Sequence, residues 1–493
     1  MRKITVPFLI FSLIFITACT KDSNENAEGN SEPFSNAKIT LSTGEWMSIA
    51  YDNAKEISEG DIRIILDNFL KQEYVAPKYQ TRTGIDISSF NQTKKYGLAE
   101  KMAIVATRSG EVPIYDIDCT ISEYEFELGG EKYRAVISTD ERYPKVLALM
   151  KVEESTETNF TGYCENMPEQ DASLTMLNLS YEAVYRHLFE IEAIKDSLRD
   201  ETLLKISREL NEPIENISFD SVKDDICVSD NDASFTRANS IDFPTDQVLS
   251  GCFPILEVSW YTGNPVLKDY MPYVVNQLRP TAPDIVSAIM HILSFTQPYI
   301  YIPAQTYDEH GYKSGMSVNW TYLTENRSFN SSDPITKREM AGRLTRFISD
   351  QLGLIYNNGR EDATGWSYGI GPRSNMTIQK GYEILKRYIN CDPISNYNLN
   401  SIINSLIKVR PVYAQESVFV PAWVFDGFLK TKSNSGINST YLHMESGSYF
   451  NQQNINSGYY LVNADSSLDI EWGNSSSIKH SRTIQLLLEC RGK

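Results

Sequence analysis

Val418–Phe428 reads VFVPAWVFDGF, and the reading of this run decides the fold of the C-terminal half. Its valines and aromatics make a buried strand, and the closing Asp426-Gly427 marks a turn. Pro421 lies inside the run, and proline cannot donate to a sheet ladder, so the strand should have an end or an edge there. Four more short strands are expected around it: RPVYA (410–414), STYLHME (439–445), SGYYLVNA (457–464) and TIQLLLEC (483–490).

Helices precede these strands. TAPDIVSAIMHILSF (281–295) has one apolar face, with Pro283 in its first turn and Thr281 with Asp284 spaced as a Thr-x-x-Asp cap. TKREMAGRLTRFISDQLGL (336–354) and QKGYEILKRYI (379–389) are amphipathic helices, separated by the Gly-rich loop NNGREDATGWSYGIGP (357–372). Helices first and an antiparallel sheet afterwards give an α+β domain with two sides.

The N-terminal part has its own signals. SEGDIRIILDNFLKQ (58–72) opens with a capping box, Ser58 to Asp61, ahead of Ile62, Ile65, Leu66, Phe69 and Leu70 at helical spacing. YEFELGGEKYRAVIST (124–139) alternates about Gly129-Gly130, a hairpin signal. LSYEAVYRHLFEIEAIKDSLRDETLLKISREL (179–210) carries the stripe Tyr181, Val184, Tyr185, Leu188 and Ile191, with His187 read as a surface or boundary residue. From about 212 to 250, Asp, Asn and Ser dominate as in a linker.

Composition bounds the partners. A net charge of −18 over 493 residues disfavours nucleic acid and anionic membrane surfaces. With 29 Tyr and 20 Phe the chain has ample material for packed cores. Arg2 and Lys3 precede the apolar run ITVPFLIFSLIFITA (4–18), too short for a membrane span and of the form of a signal peptide. Its ending, ITAC, resembles a bacterial lipobox, so Cys19 is expected to carry a lipid. The polar TKDSNENAEGNSEPFSN (20–36) would then be a tether placing the protein at the cell envelope, in the outer membrane or at the cell surface. The expected organisation is a signal peptide at 1–18, a tether at 19–35, an α+β module at 36–155, a helical connector and linker at 156–250, and a C-terminal domain at 251–493. Apart from Cys19 there are six cysteines, without metal-type spacing and without an assignable pairing. The GIG at Gly369–Gly371 is followed by Pro372 and makes no phosphate loop. No cofactor or metal is expected.

The order of pieces resembles the streptopain family of papain-fold cysteine peptidases. SWYTGNP (259–265) resembles its Trp-Asn-Gln-x-x-Pro segment, TAPDIVSAIMHIL its helix opening Gly-Cys-Val-Ala-Thr-Ala, and VPAWVFDGF its Gly-His-Ala-Trp-Val-x-Asp-Gly-Tyr strand. YLHMESGSYFNQQNINSGYYLVNA (441–464) resembles its His-x-Asn-Trp-Gly-Trp-Gly run, and the module at 36–155, through YRAVISTDERYPKVLAL (133–149), is similar to its inhibitory propeptide. The resemblance implies a papain-like two-sided fold behind a propeptide-like domain. It also places the nucleophile's position on Asp284, the histidine's on Pro421, and the orienting Asn-Trp pair on Glu445 and Ser446.

A thiol peptidase needs a thiolate at a helix N-terminus, a histidine to exchange its proton and a group to orient that histidine. None of these survives at the matched positions. The chain therefore reads as a pseudopeptidase that binds a protein or peptide, touching the membrane through its lipid alone. Trp260, Trp366 and Trp423 are candidates to line its cleft. An active cysteine endopeptidase with other residues in these roles, and a purely structural surface protein, are the alternatives. His291 and His443 read as structural, and Cys252, with Pro254 just beyond it, as a structural thiol.

Overall fold

A computed structural model describes residues 39–51, 54–76, 87–104, 114–154, 172–228, 236–237, 246–261, 263–273, 279–280, 282–356, 370–371, 375–416, 421–433, 438–447, 454–464, 470–472 and 484–493. Local signals set the N-terminal elements. Strand β1 (Ile39–Leu41) leads into α1 (Thr43–Ala50), and α2 (Glu59–Leu70) starts at Ser58 with both halves of the expected box made, Ser58 to the Asp61 amide and Asp61 back to the Ser58 amide. Strands β2 (Ile87–Ile104), β3 (Ile114–Leu128), β4 (Glu131–Ser138) and β5 (Lys145–Glu154) follow as an antiparallel meander. Gly129 (φ 59°) and Gly130 (φ 80°) turn β3 into β4, the left-handed pair that a tight hairpin requires.

The long helix α3 (Ala172–Leu210) crosses this sheet and reaches a small core of its own, where Ile206 meets Ile39, Leu41, Ile49, Val222 and Ile226. There β6 (Ile226–Val228) pairs in parallel with β1, so part of the stretch that reads as linker is sheet. Next come β7 (Gln247–Cys252), α4 (Asp284–Thr296), α5 (Ile335–Gln351), α6 (Ile378–Tyr388), the short β8 (Ile389–Asn390) and β9 (Ser395–Asn396), and α7 (Leu399–Ile407). The C-terminal strands are β10 (Val412–Glu416), β11 (Ala422–Lys432), β12 (Asn438–Ser446), β13 (Asn454–Ala464), β14 (Ile470–Trp472), β15 (Ile484–Leu487) and β16 (Arg491–Gly492).

The fold is α+β, and one antiparallel sheet joins both halves of the chain. Its order is β9-β15-β10-β11-β12-β13-β5-β4-β3-β2-β14, with β7 added to β11 beyond the end of β10. The halves meet where β13 pairs with β5, Gly458 opposite Met150. No side chain fits at that glycine: a Cβ would overlap the Leu149 carbonyl and stand 2.8 Å from the Met150 Cα.

Strands β10, β11 and β12 are buried along most of their length. Both their faces are covered, which is why AWVFDGFL shows no polar alternation. Trp423 and Phe425 join the core under α2, α3 and α7, while Ala422 and Val424 join the core under α4, α5 and α6. A sheet with helices on one side was the expectation; α3, with α2 and α7, supplies a layer on the other.

Candidate functional site

The run that opened the sequence analysis is split differently from its sequence reading. Pro421 stands one residue ahead of β11, buried, and its carbonyl accepts the Glu416 N–H at 3.2 Å. The reciprocal donor is the one proline lacks, so the hairpin closes on half a pair. Val418–Val420 lie outside the described residues. Asp426-Gly427 does not end the strand, which continues to Lys432 through a bulge between Phe425 and Gly427. The bulge turns Asp426 out of the ladder. Its backbone carbonyl accepts the Ile255 N–H at 2.9 Å and its Oδ2 the Leu256 N–H at 3.3 Å. Gly427 is needed beside it, because a Cβ would stand 3.0 Å from both the Cys252 carbonyl oxygen and the Pro254 nitrogen.

Asp284 opens α4, with Pro283 as the N-cap residue and no side-chain cap. The Thr-x-x-Asp cap read from the sequence falls on Thr281, which lies outside the described residues. The Asp284 carboxylate is 7% exposed. Burial and the Asp284 charge hold the Tyr413 hydroxyl well above the ordinary phenol range, and that hydroxyl donates to Gln415 Oε1 at 2.8 Å. One turn into α4, Ser287 donates to the Trp260 carbonyl and packs against Gly447 so closely that a Cβ on the glycine would overlap its hydroxyl. Gly447 follows β12, where Ser446 pairs with Trp423 and Glu445 with Val424. The first turn of α4 and the ends of β11 and β12 therefore gather Asp284, Pro421, Glu445 and Ser446 at one end of the sheet.

A buried polar chain backs this end. Glu445 is fully buried, taking Arg327 Nη2 at 2.6 Å on one carboxylate oxygen and Ser259 Oγ at 3.1 Å on the other. Two residues away on the same strand face, His443 Nδ1 lies 2.6 Å from Asp426 Oδ1. Burial raises the Glu445 pKa, opposed by Arg327 and His443 and assisted by the Asp426 charge. His291, completely buried on α4, accepts the Trp260 N–H on Nε2 at 2.8 Å. Arg327 and Asp426 are the members that sequence reasoning missed. An Asp-Gly pair signals a turn and a bulge alike, and Arg327 sits in the stretch TENRSF (324–329), which gives no periodic pattern.

Several expectations are corrected. Trp260 (1% exposed) and Trp423 (0%) are core residues and line no cleft. Trp423 points into the core under α3 on the same face as Phe425, two positions along β11. Trp366 lies outside the described residues. His187 is buried at 5% exposure, its ring 4.4 Å from Tyr143, because the sheet covers more of α3 than its apolar stripe.

An Asp–His pair can orient a general base, but a peptidase also needs a thiolate in reach. Cys252, in β7 beside Phe428, donates its thiol to the Leu406 carbonyl at 3.6 Å, and burial followed by the Asp426 charge raises its pKa. Cys252 and Phe428 share a sheet face that the neighbouring Gly427–His443 pair does not. Among the described residues no cluster of His, Cys, Asp and Glu has a metal-binding arrangement, and no helix is long and apolar enough to cross a membrane. A cavity of about 580 Å³ lies at the other end of β11 and β12, lined by Glu182, Arg186, Tyr397, Lys430 and Asn438 among others.

No family model matches the chain, and no curated protein matches it. Among solved structures it is similar to a mutant fragment of prointerpain A from Prevotella intermedia, at 14% identity and a TM-score of 0.36 over 80% of this chain and 100% of that one.

Proposed function

We propose that this chain is a lipid-anchored, catalytically silent relative of the streptopain-type peptidases, with a papain-like plan, that holds a protein or peptide ligand at the cell envelope. The observation that carries the reading is the occupant of the α4 N-terminus. A carboxylate stands there, 7% exposed, beside a buried tyrosine hydroxyl. The helix dipole favours its ionised form, and an ionised carboxylate is a feeble nucleophile toward an amide. Pro421 at the matching strand end has no proton to give a leaving amine. Of the imidazoles near this end, His443 is held by Asp426 and faces away from the Cys252 thiol, and His291 has its Nε2 on the Trp260 N–H.

The test is exposure of the full chain to an epoxide or vinyl-sulfone thiol probe and to fluorescent casein. The expected result is casein binding without turnover, whichever cysteines the probe labels. The Asp284→Cys and Pro421→His pair should restore almost nothing, because Glu445 is already committed to Arg327 and Ser259. Labelling of one wild-type cysteine, with turnover lost on its change to Ala, would overturn the proposal; Cys252 is the first to examine.

A further inference from the structure

The C-terminus places two cysteines in contact. β8 and β16 pair antiparallel, Ile389 opposite Gly492 and Asn390 opposite Arg491. One further step in that register sets Cys391 opposite Cys490. Residues directly opposite on antiparallel strands have Cα atoms roughly 4.5–5.5 Å apart, inside the span a disulfide takes. The two thiols interact with each other, while the Cys490 Sγ–H donates to the Leu487 carbonyl at 3.6 Å. Both are free in the structure. The neighbourhood is fixed on either side, with the Asp392 N–H on the Leu488 carbonyl at 3.0 Å and Lys493 Nζ on the Arg387 carbonyl at 2.8 Å.

We infer that Cys391 and Cys490 form a redox-active pair that closes to an intramolecular disulfide and locks the chain's C-terminal strand to the end of α6. The two sulfurs have different roles. Cys391 is partly exposed, and Cys490 is completely buried in the core under α4, α5 and α6. Interaction with Cys490 lowers the Cys391 pKa, while the same interaction and then burial raise that of Cys490. Cys391 is therefore the attacking thiolate and Cys490 the resolving thiol. The oxidant is a small-molecule or protein disulfide. The Cys391 thiolate attacks one of its sulfurs and expels a thiolate, leaving a mixed disulfide on Cys391. The Cys490 thiol loses its proton, attacks the Cys391 sulfur and expels the second thiolate. Two protein thiols are oxidised and one disulfide is reduced to two thiols. The bond closes a loop of roughly 100 residues that contains β10–β13 and β15, the strands carrying Asp426, His443 and Glu445.

The experiment takes the folded full chain, equilibrates it with glutathione disulfide and maps peptides without reduction. The expected product joins the peptides of Cys391 and Cys490, is two hydrogens lighter than their sum, and melts about 5 °C higher than the reduced protein. Cys391→Ser should abolish both the linked peptide and the gain in Tm, whereas Cys252→Ser should keep both. Alkylation by iodoacetamide gives a readout in the unchanged chain: both residues should be protected after oxidation and only Cys391 readily modified before it. Free thiols at both positions after oxidation, a bridge to another cysteine, or a link that forms only in unfolded protein would each overturn the inference.

Discussion

Acid should unfold this protein through two histidines that the fold keeps neutral. His291 is pushed down to about 3, first by burial and then by the Arg327 charge, and His187 to about 3, first by burial and then by Lys145. At His291 the geometry gives a second reason. Nε2 already accepts the Trp260 N–H, so a proton added there would set donor against donor. Both imidazoles have an unfolded value near 6.5. The unfolded state then binds protons that the folded state refuses between pH 6.5 and 3. The stability these groups permit is complete above about pH 6.5 and is lost as pH falls through that window. At ~1.36 kcal/mol per pKa unit, each histidine costs about 2 kcal/mol by pH 5, and about 5 kcal/mol if the folded state survives to pH 3. Together they match the whole stability of an ordinary domain, roughly 5–15 kcal/mol. Urea unfolding followed by tryptophan fluorescence between pH 8 and 4 would measure the loss. His187→Phe preserves the ring against Tyr143 and should remove about 2 kcal/mol of the drop between pH 8 and 5. His291→Phe should lose some stability at every pH, because the Trp260 N–H is orphaned, yet flatten the pH dependence equally. A resonance assigned to the His187 or His291 imidazole and titrating near pH 6.5 in the folded protein, or unchanged pH slopes in both variants, would refute the reasoning.

Two further outcomes are expected. Gly458→Ala puts a methyl into the Leu149 carbonyl where β13 meets β5, so it should destabilise the protein by about 3 kcal/mol and loosen amide exchange in both strands; wild-type stability would show that the two halves are not paired there. Cys19→Ala should turn a detergent-requiring membrane protein into a released or mislocalised one, and unchanged membrane association in cell fractions would exclude lipidation at that residue.

What was legible in the sequence was local. The Ser58–Asp61 box, the Gly129-Gly130 hairpin and the apolar face of α4 are each specified by residues a few positions apart, and each forms as read. The strands after 410 were legible too, because dense apolar runs between turn residues have few other uses. What escaped was decided across the chain. Asp426-Gly427 is a bulge and not a turn because the amides of Ile255 and Leu256 need that carboxylate and carbonyl. His187 is buried because Tyr143 packs on it from the next layer, and Trp423 because α3 covers a face the sequence left open. The joining of the halves depends on Gly458, whose reason is a carbonyl on a strand far away in sequence.

The end of the sheet that holds Asp284 and Glu445 also bears on the catalytic silence proposed above. A working thiol centre keeps a polar group accessible and pre-oriented for a proton yet to move. Here three carboxylates are buried, and each is tied to the scaffold: Asp426 to the Leu256 amide and His443, Glu445 to Arg327 and Ser259, and Asp284 to the start of a buried helix. Removing one partner of such a buried pair strands a charge at a cost of several kcal/mol, so the cluster resists piecemeal change. Buried carboxylates of this kind also arise in structural ion networks, and the partners decide between the two meanings. Arg327 gives its hydrogen bond to Glu445 and its carbonyl to the Ser259 amide at 2.7 Å, which fastens the segment carrying Trp260 beneath α4. Under the proposed reading, the charges that catalysis would move are the ones that fix the backbone.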